Sequence, residues 1–171
     1  ARFFVSEKEH GLLIGARREA EEDSYYWRIS RWLYPFYSMI PREPNGTTRL
    51  GIWYPMDNEN TWVILVLWHK DRPPTDDESR EIYACRDLIP GTWYPKQNLS
   101  NDYMIDREIQ RTETYTGIPT DSGRAQDSAM METMGKLIDR THEHLGTSDT
   151  AIIAMRKTLA NAARDLEEGI E

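Results

Sequence analysis

A chain of 171 residues with a net charge of −8 and no compensating basic stretch lacks the basic face on which general nucleic-acid binding relies. Its single cysteine, Cys85, excludes an intrachain disulfide and a cysteine metal cluster built from this chain alone, and suits a reducing, cytoplasmic setting. No apolar run approaches the roughly 18 residues of a membrane span; 39% hydrophobic residues fit an ordered soluble domain, and one domain is the default at this length.

The first half reads as strands: RFFVS, LLIGARR, SYYWRISRWLYPFYSMI, TRLGIWYPM and NTWVILVLWH, rich in β-branched and aromatic residues and bounded by turn chemistry. Glu21-Glu22-Asp23, Pro44-Asn45-Gly46 and Asp57-Asn58-Glu59-Asn60 are the expected turns. Connections this short imply an antiparallel meander, because parallel neighbours need a crossover of about a dozen residues or more. Five strands are expected, forming a curved sheet with one face to cover. The aromatics in them either fill the core or line a pocket for a planar ligand.

After His69 the pattern changes. Thr75-x-x-Glu78 behind two prolines is a capping box and predicts a helix from Thr75 to Arg86. Cys85 within it reads as a small buried hydrophobe. Leu88 to Thr120 shows no sustained period and carries Trp93, Tyr94, Tyr103 and Tyr115, so an ordered loop is expected. Asn45-Gly-Thr47 and Asn98-Leu-Ser100 match the glycosylation acceptor pattern and, with no signal peptide ahead of them, read as chance matches in loops.

GRAQDSAMMETMGKLIDRTHEHLG, Gly123 to Gly146, reads as one helix stopped by its last glycine. At about 100° per residue, Met131, Met134, Ile138 and Leu145 lie within about 40° of Asp127, which sets a carboxylate on the apolar stripe. Such a group either sits in the first turn, where the helix dipole and free amides accept an acid, or requires a partner. A last helix is capped at Ser148-Asp149, with Ile152, Met155, Leu159, Ala162, Ala163 and Leu166 as its stripe. The fold class is α+β, a curved antiparallel sheet packed on C-terminal helices.

Chemistry is sparse on the surface of the sequence. His10, His69, His142 and His144 show no helical metal spacing and read as surface residues, and neither HExxH nor CxxC occurs. GxSxG and phosphate-binding glycine loops are absent too. Residue pattern alone leads to a globular α+β domain with one unexplained aspartate.

Longer strings add a resemblance. NDYMIDREIQRTETYTGIPTDSGRAQDSAMMETMGKLIDRTHEHLGTSDTAIIAMRKTL, with EHGLLIGARREAEEDSYYWRISRWLYPFYSMIP and IWYPMDNENTW upstream, resembles the C-terminal catalytic-domain portion of the oxygenase subunit of Rieske non-heme iron oxygenases. The branch is the one similar to phthalate 4,5-dioxygenase. The resemblance implies a helix-grip (START-like) fold, incomplete here, with residues 1–171 as the C-terminal part of the mononuclear-iron domain. It implies iron held by two His and one carboxylate, and the matching carboxylate is Asp127, as metal ligand and catalytic residue. The two His, the Rieske [2Fe-2S] cluster ligands and the acidic bridge between subunits would all precede Ala1, so the chain is expected to be a fragment, inactive alone.

For the intact enzyme the resemblance implies electrons from NADH through a separate reductase and dioxygen activation beside a small aromatic substrate. Hydroxylation or O-demethylation is the implied outcome, in a homotrimer or hexamer, with contacts expected from Trp93 to Arg111 and from the last helix. Arg18, Arg28 and Arg31 are candidates to meet an aromatic carboxylate, or are solvent-facing; alternation sets Arg28 with Ser30 and Trp32, and Arg31 opposite. A non-catalytic helix-grip module that binds an apolar ligand is the alternative.

Overall fold

The structure is a computed structural model that describes residues 1–41, 44–83, 88–119 and 123–170. It divides into two compact units: residues 1–73 with 140–171, and residues 74–139.

The first unit is a six-stranded antiparallel meander: β1 (Arg2–Lys8), β2 (Gly11–Glu19), β3 (Tyr25–Leu33), β4 (Tyr37–Met39), β5 (Thr47–Pro55) and β6 (Thr61–His69). One more strand forms than the sequence predicts, because Tyr34-Pro35-Phe36 turns the chain within SYYWRISRWLYPFYSMI and separates β3 from β4. Pro35, joined to Tyr34 by a cis peptide, has no amide to give to a ladder. The turns follow their sequence chemistry. Asp57 accepts from the amides of Glu59 and Asn60 at 2.7 Å each, and Asn45 accepts from the Thr47 amide at 3.0 Å and its hydroxyl at 2.8 Å.

Register fixes the two faces. Leu12 lies opposite Trp32 and both are buried; Phe4 and Ile29 flank Gly15 on the other face and are exposed. Gly11 is obligatory at the β1–β2 corner, since a Cβ there would lie 2.0 Å from the Trp32 carbonyl oxygen. The expected core aromatics are mostly exposed: of the six tryptophans Trp32 alone is buried. Trp27, Trp53, Trp62 and Trp68 lie on strands and Trp93 in a loop; on the sheet, Phe4 and Trp27 approach to 5.3 Å and Arg17 stacks over Tyr25 at 4.2 Å.

The last helix, α4 (Thr150–Glu167), packs on β1 and β2. Its inward residues are Ala151, Ala154, Met155, Thr158, Leu159 and Ala162, so Ile152, Ala163 and Leu166 of the expected stripe face out. Asp149 precedes the helix without a side-chain cap; its Oδ2 accepts from the Gly146 amide instead, at 2.8 Å. Arg156 of α4 bonds Glu143 through both guanidinium nitrogens, with Nη2 to Oε1 at 2.9 Å, and Arg140 adds a third contact at 3.2 Å. These contacts hold the carboxyl of Glu143 below its ordinary value, the Arg156 hydrogen bond contributing most.

In the second unit, α1 (Asp76–Tyr83) starts at the predicted capping box: Glu78 accepts from the Thr75 amide at 2.8 Å and the Thr75 hydroxyl accepts from the Glu78 amide at 3.3 Å. The helix end expected at Arg86, and Cys85, lie outside the described residues. The segment expected to be loop contains a short 3-10 turn, Leu99–Met104, and α2 (Arg107–Thr112), whose amides at Glu108 and Ile109 are capped by Asp106.

The helix expected to run to Gly146 is short: α3 covers Gly123–Glu132. Turn residues follow, then Gly135 at φ 95°, a left-handed conformation that suits glycine and ends helices.

Candidate functional site

Asp127 lies in the second turn of α3, whose first turn carries no acid, so capping by the helix dipole does not account for it. The buried side of α3 consists of Ala125, Ser128 and Ala129, and Asp127 is exposed. The angular grouping of Asp127 with Met131 therefore holds, but that stripe faces outward: Met130, Met131 and Met134 are also exposed. Alanine and serine, weak signals of burial by composition, make the inward face because they let another chain segment approach closely.

That segment is the turn before α2. Asp102, Tyr103 and Met104 take φ values of 50°, 54° and 54°, three successive left-handed residues without a glycine, each costing about 1–2 kcal/mol. The turn is held by Asn98, whose Oδ1 accepts from the Ser100 amide and hydroxyl at 2.9 and 2.6 Å. Asn101 Nδ2 donates to the Lys96 carbonyl at 2.6 Å. Both Asn-x-Ser/Thr matches thus work as local caps. The result of the turn is placement of Tyr103, 1% exposed, in a cluster with Ile118, Ala125 and Ala129. Its hydroxyl donates to Glu132 Oε2 at 2.5 Å. Burial, then the bond to Glu132 and its charge, raise the phenol above its ordinary value.

No hydrogen bond or ion pair occupies the Asp127 carboxylate among the described residues, and among them no group of three or more His, Cys, Asp or Glu could hold a metal ion. A carboxylate open to solvent is a donor of the kind that suits iron, and among the described residues no further metal-binding side chains gather round it. His10, His142 and His144 are exposed, as expected. His69 is half-buried and accepts from the Asp71 amide through Nδ1 at 3.1 Å. Arg18 and Arg28 share one sheet face and Arg31 the other; all three are exposed, and Arg31 lines an open cleft with Lys8, His10, Leu12 and Trp32. Tyr103 and Glu132 escaped sequence reading because one sits in an aperiodic loop and the other is a helix-end acid 29 residues away.

An antiparallel meander with a terminal helix on its first strands, together with a second unit built around α3 and the Leu99–Met104 turn, defines an α+β protein. Residues 2–171 match the family described as LigXa C-terminal domain like, and the chain belongs to that family. It is 30% identical over 178 residues to the 3-chlorobenzoate-3,4-dioxygenase oxygenase subunit of Comamonas testosteroni, covering 95% of this chain and 41% of that protein. To the phthalate 4,5-dioxygenase oxygenase subunit of Pseudomonas putida it is 28% identical over 175 residues, covering 98% of this chain and 39% of that protein. These matches bear out the resemblance to aromatic-ring dioxygenase oxygenase subunits. The chain spans about two fifths of the length of the curated relatives it matches. Among the described residues no helix is long and apolar enough to cross a membrane.

Proposed function

We propose that this chain is the C-terminal part of the catalytic domain of an oxygenase that hydroxylates or O-demethylates an aromatic substrate, with Asp127 as carboxylate ligand to a mononuclear ferrous ion. The observation that carries the reading is the exposed carboxylate in the middle of α3, without a partner among the described residues, in a family whose named relatives are dioxygenase oxygenase subunits. When bound by a two-histidine, one-carboxylate set, such an ion supplies dioxygen activation. The histidines, the Rieske [2Fe-2S] cluster and the electron supply from NADH through a reductase belong to the rest of the assembly, which we infer to be a homotrimer or hexamer.

The chain's own contribution is positional. α3 presents Asp127 on the side opposite its packed face, where no donor among the described residues binds the carboxylate. The substrate we infer is a small aromatic, with aromatic carboxylates favoured by the names of the two relatives. In the full-length protein, Asp127→Ala abolishes turnover with reductase and NADH while the visible absorbance of the Rieske cluster persists. Unchanged turnover would remove Asp127 from the ligand role, whereas a natural full-length protein with neither turnover nor bound iron would favour the apolar-ligand module.

A further inference from the structure

α3 is ten residues long, short enough that isolated helices of its length are marginal in water. Its direction and roll are therefore set by what it packs against. The packed side is Ala125, Ser128 and Ala129, and such small side chains resist sliding and rotation poorly. Tyr103 supplies what the alanines lack. Its ring fills the space against them, and its hydroxyl ties to Glu132 at 2.5 Å. At about 100° per residue, Glu132 stands about 140° from Asp127 and about 7.5 Å along the axis. The tie thus holds the back of the helix whose front carries the carboxylate.

Two features separate this from ordinary core filling. A buried hydroxyl costs free energy unless it is bonded, and phenylalanine would fill the same volume without that cost. The bond it makes is charge-assisted, roughly twice as strong as a neutral one. The ring is also delivered by three consecutive left-handed residues, conformations that persist only where the surroundings over-determine them.

We propose that Tyr103 and Glu132 are positioning residues that fix the roll of α3 and so set the direction in which Asp127 offers its carboxylate. The inference rests on the ligand role proposed above for Asp127. Partners that orient a ligand typically change metal affinity by about 10–100-fold when removed.

The test is titration of ferrous ion into the metal-depleted full-length protein, with thermal melting in parallel. Tyr103→Phe, which keeps the ring, and Glu132→Ala, at an exposed position, each weaken ferrous affinity about tenfold or more. Glu132→Gln restores most of it, because the amide carbonyl still accepts from the phenol. Ile118→Val, a buried neighbour in the same cluster, lowers the melting temperature and leaves iron affinity at the wild-type value. Should Tyr103→Phe fail to fold, the Glu132 pair decides. Wild-type affinity in Glu132→Ala, or Glu132→Gln as weak as Glu132→Ala, overturns the proposal. Asp127→Ala separates the two ideas: full iron affinity there sinks the ligand reading itself, whereas iron loss there with wild-type affinity in the brace variants sinks only the positioning role.

Discussion

The sheet unit and the unit that carries Asp127 are held together by different kinds of contact. In the sheet, each strand pairs with its neighbour in sequence, and stability comes from ladders and from alternating residues such as Leu12 and Trp32. In the other unit, residues far apart in sequence meet at one point, Tyr103 against α3, through a turn that strains its own backbone. The first arrangement spreads its contacts along the ladders; the second gathers Ile118, Ala125 and Ala129 round one buried ring.

That contrast can be broken most severely at the two cores. Tyr103→Ala removes a fully buried ring and costs about 3–5 kcal/mol, with amide exchange accelerating across α3 and the Leu99–Met104 turn while β2 and β3 keep their protection. Leu12→Ala, 3% exposed, costs about 2–5 kcal/mol and gives the reverse pattern. If both variants deprotect every element equally, the two units do not differ as described.

Smaller effects sharpen the same contrast. Gly117 has φ 70°, and a Cβ there would stand 2.7 Å from the Asp106 carbonyl oxygen, so Gly117→Ala costs about 1–2 kcal/mol for the backbone alone, read by chemical denaturation. Asp106→Ala removes the cap of α2 and costs about 1 kcal/mol, read the same way.

The smallest effect lies in the sheet unit, at Glu143. Its carboxyl is lowered in the folded state by Arg156 and then Arg140, so its contribution is present above the unfolded carboxyl value and is lost as pH falls through the lowered one. Melting temperatures of the natural chain and Glu143→Gln should differ near neutral pH and converge in acid. A difference that grows toward acid contradicts the ion pair.

The same contrast decides what the sequence reveals. Strands with period-2 alternation, the Asp57 and Asn45 turns and the Thr75 capping box are written within a few residues, and they form where expected. Pro35 carries the signal for the β3–β4 break, although the run of aromatics around it reads as continuous strand. The α3 region is where local pattern misleads. Met131, Met134, Ile138 and Leu145 keep a helical spacing beyond Glu132, but the helix stops near Gly135, and the stripe that looks like core is exposed. Its true inward face is alanine and serine, which become legible only once Tyr103 is placed against them. Asp127 was legible as a position that calls for explanation; its ligand role rests on family resemblance.

The most direct test of that role counts iron. In the full-length protein, iron per subunit beyond that of the [2Fe-2S] cluster should fall from one equivalent to near zero in Asp127→Ala, with the nitric oxide complex of the ferrous site losing its electron paramagnetic resonance signal. An undiminished signal and full iron content in Asp127→Ala would contradict the account.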